Sequence, residues 1–218
     1  MNSPLVKLMM PQHTAWSALE MAFVWLMWAL MMGAMMLPSA VPMIMIHRRV
    51  TVERMDRENA SATNGWFTFA YLLVWSGFSA AAAAMQWGLQ SIGKLSPMLA
   101  LNETWLGGII LVAAGVIQWT PFKHACLNKC RTPIGFLATE WRPGRGGALI
   151  MGAQHGAYCV GCCWALMALL FVFGVMNLTA IVALATIVAI EKLFPFGDRF
   201  GQAGGGILVA WGIWMLAL

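Results

Sequence analysis

The chain has 218 residues, of which 61% are hydrophobic and only 10% are charged. A soluble domain carries about a quarter charged residues, so the composition excludes a cytosolic enzyme, a disordered chain and a secreted disulfide scaffold. The formal charge is +5, but the basic residues lie in short loops between apolar runs and favour topology signals over a nucleic-acid surface. These features predict one integral membrane domain, residues 1–218, that contacts the lipid bilayer and no nucleic acid.

Six apolar segments are candidates for membrane-crossing helices, each of which needs about 20 residues. The predicted spans are 21–46, 66–87, 105–119, 147–174, 177–193 and 204–218. The predicted fold class is therefore all-α, a polytopic membrane bundle of about six transmembrane helices. Pro38 and Pro42 predict a kink in the first span. Asn177 is expected to cap the fifth span after a tight turn.

The orientation of the chain follows from its loop charges, because Lys and Arg are retained on the cytoplasmic side. The loops after the first, third and fifth predicted spans carry Arg48, Arg49, Arg54, Arg57, Lys123, Lys129, Arg131, Arg142, Arg145, Lys192 and Arg199. The opposite side carries only Lys7 and Lys94. We therefore expect a multi-pass inner-membrane protein with both termini outside, in the periplasm of a Gram-negative cell.

Four soft metal ligands are concentrated in the fourth predicted span: His155, Cys159, Cys162 and Cys163. Residues three and four apart share one face of a helix, so this imidazole and two or three of the thiols can point the same way. Such a set suits Cu(I) or zinc. The alternative is that these cysteines are small apolar residues that only pack.

A second cysteine pair, Cys126 and Cys130, lies in the basic loop before this span. Neighbouring Lys and Arg favour the thiolate form, which metal binding requires. If the loop folds back against the fourth span, its thiols join the first cluster. The alternative is a pair of surface thiols in a reducing compartment.

Methionine is also abundant, with 18 in the chain. Met27, Met31 and Met35 are spaced by four residues in the first span, as are Met32 and Met36. Thioethers select Cu(I), so the first three residues predict a relay, although core packing explains a methionine stripe equally well. A weaker outer capture site is indicated by Met9, Met10 and His13.

Glu191 and Lys192 close the fifth predicted span, where ionisable groups are costly and often functional. The simplest interpretation is that they mark the cytoplasmic interface and pair with one another. The sequence contains no Gly-rich phosphate loop followed by Lys, no Gly-x-Ser-x-Gly and no His-Glu-x-x-His. A binding role is therefore favoured over an enzymatic one.

Several motifs resemble a bacterial domain-of-unknown-function family described as predicted metal-binding integral membrane proteins. They are Met27-Trp28 to Met31-Met32, Ala34 to Pro38, Pro42-Met43, Phe122-Lys123, Cys126, Cys130-Arg131, His155-Gly156, Tyr158-Cys159, Gly161 to Trp164, Gly174 to Leu178 and Glu191-Lys192. The resemblance implies a multi-span inner-membrane protein that binds metal. The residues it assigns to the metal are Cys126, Cys130, His155, Cys159, Cys162 and Cys163.

The leading hypothesis is copper handling, either transport or metal delivery to a membrane enzyme. Copper would move along the methionines and be held by Cys159, Cys162 and Cys163, with His155 assisting; zinc and iron are alternatives to copper. A rival hypothesis is an accessory or structural subunit of a larger membrane protein complex without its own metal site. The expected protein partner is a membrane enzyme complex or, in a homo-oligomer, a second copy of the chain. Bulky residues at Gly152 or Gly156 would then disrupt assembly. A third is a thiol oxidoreductase that forms reversible disulfides.

Overall fold

The fold is all-α, as predicted from the sequence. The computed structural model describes residues 9, 11, 13, 15–54, 57–96 and 98–218, without the side chains of 57 and 58. The helices are α1 Ala18–Arg54, α2 Arg57–Ser91, α3 Thr104–Ile117, α4 Pro121–Arg131, α5 Pro133–Glu140, α6 Gly144–Ala168, α7 Leu170–Phe173, α8 Leu178–Leu193 and α9 Gly197–Ala217. Across these described ranges no β-strand occurs, and one isolated antiparallel bridge joins Leu95 to Leu101.

Four helical segments are long and apolar enough to cross a membrane: α1, most of α2, α6 with α7, and α9. Helices α3 and α4 are bent by 63° relative to each other and supply a fifth span only if they are counted together. Helix α8 has 16 residues, about 24 Å at the α-helical rise, which is shorter than a hydrocarbon core of about 30 Å. The six-span topology and the outward termini therefore stay predictions.

The polar segment after the third predicted span is helical rather than a loop. Thr120 caps α4, since its side chain accepts a hydrogen bond from the backbone N–H of Lys123, and Pro121 stands in the first turn. Pro is tolerated there because the first N–H groups of a helix have no intrahelical acceptor. The segment thus becomes two short helices, and α4 packs against α6.

The core forms where α2 packs between α1 and α6. Val24, Trp28, Met32, Met36 and Ala40 recur every four residues on α1 and are all buried. This period places them on one face of the helix, and that face is directed at the core. Helix α1 continues through Pro38 and Pro42.

The turn after α7 follows the sequence prediction. Gly174 adopts a φ of +93°, a region that favours glycine because it has no Cβ. Asn177 then caps α8, and its side chain accepts a hydrogen bond from the N–H of Ala180 at 3.2 Å. The predicted cap is therefore confirmed.

Helices α3 and α9 approach closely at glycines. A Cβ atom on Gly115 would lie 2.6 Å from the carbonyl oxygen of Gly205, and one on Gly212 would lie 2.7 Å from that of Gly108. Both obstacles are backbone atoms, so no side-chain rotation relieves the overlap. Small residues at these positions therefore set the distance between the two helices.

We expect Gly115→Ala to lower the free energy of unfolding by about 1–3 kcal/mol, because α9 must shift to accept the methyl group. The matched control is Gly204→Ala on α9, where an added Cβ has no atom within 4 Å. Denaturation of both variants in detergent checks this prediction. Equal stability of the two variants would contradict it.

Candidate metal centre

The cysteines of α6 lie inside the helical bundle. Cys159, Cys162 and Cys163 are 2%, 3% and 1% exposed. The thiols of Cys162 and Cys163 donate hydrogen bonds to the carbonyl oxygen of Cys159, at 3.1 and 2.9 Å. All five cysteines of the chain are free. The helix therefore presents reduced, oriented thiols to its neighbours.

A lysine ammonium group lies among three of the sulfur atoms. Lys192 Nζ is 2.9 Å from Cys159 Sγ. The same nitrogen is 3.9 Å from both Cys163 Sγ and Met36 Sδ, which are themselves 3.9 Å apart. The Tyr71 hydroxyl and Cys159 Sγ are hydrogen-bonded at 3.1 Å. We call Cys159, Cys163 and Met36 the sulfur cluster; α1, α2, α6 and α8 all contribute to its surroundings.

Helix α4 brings the second cysteine pair to the same region. The Cys130 thiol lies close enough to the Cys159 and Cys162 thiols to interact with them electrostatically. Cys126 is buried against Gly161, where an added Cβ would be 2.9 Å from Cys126 Sγ. The basic segment therefore folds back onto α6. The surface-thiol alternative is wrong for Cys126, and Cys130 is half-buried.

Among the methionines in the described ranges, Met36 contacts a cysteine, with its Sδ atom 3.9 Å from Cys163 Sγ. Met27 and Met31 are half-buried at the edge of the core, and Met35 is buried within it. The relay through these three residues stays a prediction. The spacing of Met32 and Met36 was visible in the sequence, but it did not indicate which methionine stripe faces the cysteines of α6.

The outer capture site stays a prediction. Met10 of this site lies outside the described residues, and His13 Nε2 is 2.8 Å from Glu20 Oε1.

Glu191 and Lys192 do not pair with one another, contrary to the sequence interpretation. The Glu191 carboxylate accepts a hydrogen bond from Lys123 Nζ at 2.7 Å, and Lys123 also donates to the side chain of Gln118. Adjacent residues on a helix point about 100° apart, because the helix has 3.6 residues per turn. Glu191 therefore binds α4, whereas Lys192 points to the sulfur cluster.

His155 is surrounded by aromatic rings. Its imidazole lies 5.7 Å from the ring of Tyr71, 5.8 Å from Phe136 and 6.0 Å from Phe67, measured between centroids. Its Nδ1 atom is buried and has no hydrogen-bond partner in the described part of the chain. The structure therefore directs this side chain into an aromatic pocket.

Within the described ranges, no three His, Cys, Asp or Glu side chains converge as a metal-binding group. The sulfur cluster instead combines two thiols and one thioether around an ammonium group. The sequence did not predict Met36, Tyr71 and Lys192 as members of this arrangement. The signal for Lys192 in the sequence was its charge at the end of an apolar span. This signal did not identify the sulfur atoms that the lysine contacts.

The fold and the cluster define an all-α protein with membrane-length helices and buried soft sulfur donors. This chain belongs to the PpoB2 copper chaperone family, whose family model matches residues 25–215. No curated protein and no solved structure matches the chain. The family supports the prediction of copper handling. The match does not specifically support assignment of the chain to the domain-of-unknown-function family that its motifs resemble.

Proposed function

We propose that this protein is a membrane copper chaperone that holds Cu(I) at the sulfur cluster and delivers it to a membrane enzyme. The observation that carries the proposal is the position of Lys192 Nζ between sulfur atoms from α1 and α6. Thiolates and thioethers are the ligands that select Cu(I). The copper is cargo rather than a resident cofactor.

The charges at the cluster support a monovalent cargo. Lys192 is only 7% exposed, and a buried ammonium group is costly unless an anion accompanies it. An ammonium group donates hydrogen bonds and accepts none, so the sulfur of Cys159 accepts from it. Cu(I) carries the same single positive charge, and its exchange for the ammonium group conserves the net charge around the sulfurs.

The lysine side chain provides a means of exchange. Its four-carbon stem is flexible, so Nζ can withdraw while the three sulfur atoms, fixed on packed helices, bind the incoming ion. Return of Nζ to Cys159 then competes with Cu(I) and favours release. In this proposal Cys162, whose thiol donates to the Cys159 carbonyl oxygen, and Cys130 on α4 serve as neighbouring ligands during transfer. Cys126 lies one turn from Cys130 on α4.

The proposal also includes the location of the protein and its partner. The protein acts in the inner membrane with both termini outside, and its partner is a membrane enzyme complex or a second copy of the chain. The rival hypothesis, an accessory subunit without metal, needs a test other than substitution of Gly152 or Gly156. Both glycines contact α2 of the same chain, at Phe67 and at Val74, so bulky residues there disturb the fold itself.

Anaerobic Cu(I) titration against a chromophoric competitor tests the proposal, with protein purified without chelator or a metal-affinity column. We expect the thiol variant, Cys159→Ser/Cys163→Ser, to lose Cu(I) affinity at its site because it removes both thiols of the cluster. The loss should be at least about 100-fold, the upper end of the range for losing a residue that only supports a metal ligand. Ala165→Ser on α6, also buried, is the matched control for a buried hydroxyl. Zinc and iron are titrated in parallel.

The outcomes separate the hypotheses. Equal Cu(I) affinity in the wild type and the thiol variant would refute the sulfur cluster as the binding site. Absence of any metal binding would favour the subunit hypothesis. Reversible disulfide formation, detected by alkylation without copper binding, would favour the thiol oxidoreductase.

A further inference from the structure

A second group of soft donors lies next to the sulfur cluster along α1 and α6. Each helix carries a methionine followed four residues later by a histidine, and the four residues are Met43, His47, Met151 and His155. Residues four apart lie on the same helix face, one turn from each other. We call these residues the Met–His cluster.

The four side chains are buried together. Met43 and His47 are 1% and 0% exposed, and Met151 and His155 are 0% and 3% exposed. Met43, Met151 and Phe67 belong to one packed apolar cluster. The Phe67 ring stacks on His47 at 4.4 Å and lies 6.0 Å from His155. The pair on α1 and the pair on α6 therefore meet at one ring of α2.

Both imidazoles carry a buried nitrogen atom with nothing to bind in the part of the chain that the structure describes: His47 Nε2 and His155 Nδ1. His47 Nδ1 donates a hydrogen bond to Asn64 Oδ1 at 2.9 Å. This bond fixes the proton on Nδ1, so Nε2 of the neutral ring presents its lone pair, which is the form that binds metals. A buried nitrogen left unpaired is costly, and a metal ion would satisfy it.

We propose that Met43, His47, Met151 and His155 form a second Cu(I) site. The donor set is two thioethers and two neutral imidazoles, which suits Cu(I). A neutral donor set leaves the charge of the ion uncompensated, and a monovalent ion is less costly to bury in such surroundings than a divalent one. The inference rests on the proposed function, and it moves His155 from the thiol site to the second site.

The two sites are adjacent, which makes a two-step transfer feasible. His155 lies one helical turn before Cys159 on α6. The Tyr71 ring is 5.7 Å from the His155 ring, and its hydroxyl is hydrogen-bonded to Cys159 Sγ. Copper passing between the sites changes from thiol and thioether ligands to thioether and imidazole ligands. The neutral site releases Cu(I) more readily because it offers no anionic ligand.

The test is Cu(I) stoichiometry and X-ray absorption of the full chain in detergent. The thioether variant, Met43→Leu/Met151→Leu, preserves approximate side-chain volume. Met167→Leu, another buried methionine on α6, is its matched control. We expect two equivalents of Cu(I) in the wild type and the control and one in the thioether variant. The thiol variant should also retain one equivalent, with nitrogen and sulfur neighbours.

Each outcome assigns failure to one site. If the thioether variant binds as much Cu(I) as the wild type, with unchanged nitrogen scattering, the second site is refuted while the proposed function stands. If the thiol variant binds like the wild type and the thioether variant loses copper, the sulfur cluster is refuted and the second site stands. His47→Gln provides a second variant, expected to lose the same equivalent, should the thioether variant fail to fold.

Discussion

Replacing Cys159 by alanine is expected to lower the free energy of unfolding by about 3–5 kcal/mol, the cost of leaving a buried charge without its partner. The sulfur of Cys159 is 2.9 Å from Lys192 Nζ. The other two sulfur atoms near this nitrogen are 3.9 Å away and offer weaker contacts. Thermal or chemical denaturation in detergent provides the measurement.

The matched control is Cys162→Ala on the same helix. The Cys162 thiol donates to the carbonyl oxygen of Cys159 within its own helix, so its loss leaves no charge unpaired and should cost less. The double variant Cys159→Ala/Lys192→Met removes the ammonium group as well and should recover most of the lost stability. A double variant no more stable than Cys159→Ala would refute the Lys192–Cys159 contact as the source of the loss.

Gly152→Ala is expected to lower the free energy of unfolding by about 3 kcal/mol, because α6 and α2 touch at this glycine. An added Cβ would overlap with the carbonyl oxygen of Phe67, a backbone atom that cannot rotate away. The helices must separate. Phe67 contacts both histidines of the Met–His cluster, so the same substitution should weaken Cu(I) binding there.

Gly146→Ala is the control for this second substitution. It lies on the same helix, and an added Cβ there has no atom within 4 Å. Alanine favours the helix over glycine by up to about 1 kcal/mol, so this variant should be as stable as the wild type or slightly more stable. Similar denaturation curves for the two glycine variants would contradict the close contact between α2 and α6.

Local sequence determined the features that depend on neighbouring residues alone. The apolar composition required a helical fold with membrane-length segments, and Asn177 capped α8 because its side chain reaches the N–H of a residue three positions later. Cys159 and Cys163 were expected on one face of α6 because they are four residues apart in a helix. The sequence predicted that the thiols of the basic segment join those of α6 if the segment folds back. The packing of Cys126 on Gly161 shows that it does fold back.

Tertiary structure decided which helix faces meet. Met36 and Lys192 are 156 residues apart in sequence, and no local pattern relates the rotation of α1 to that of α8. Met32 and Met36 rather than Met27 and Met31 lie on the buried stripe, because packing against α2 and α8 sets the rotation of α1. Glu191 and Lys192 are neighbours in the chain, yet helical geometry sends one to Lys123 and the other to Cys159. Local chemistry therefore determined the helices and the donor types, and the packing of glycine-lined helices decided which donors come together.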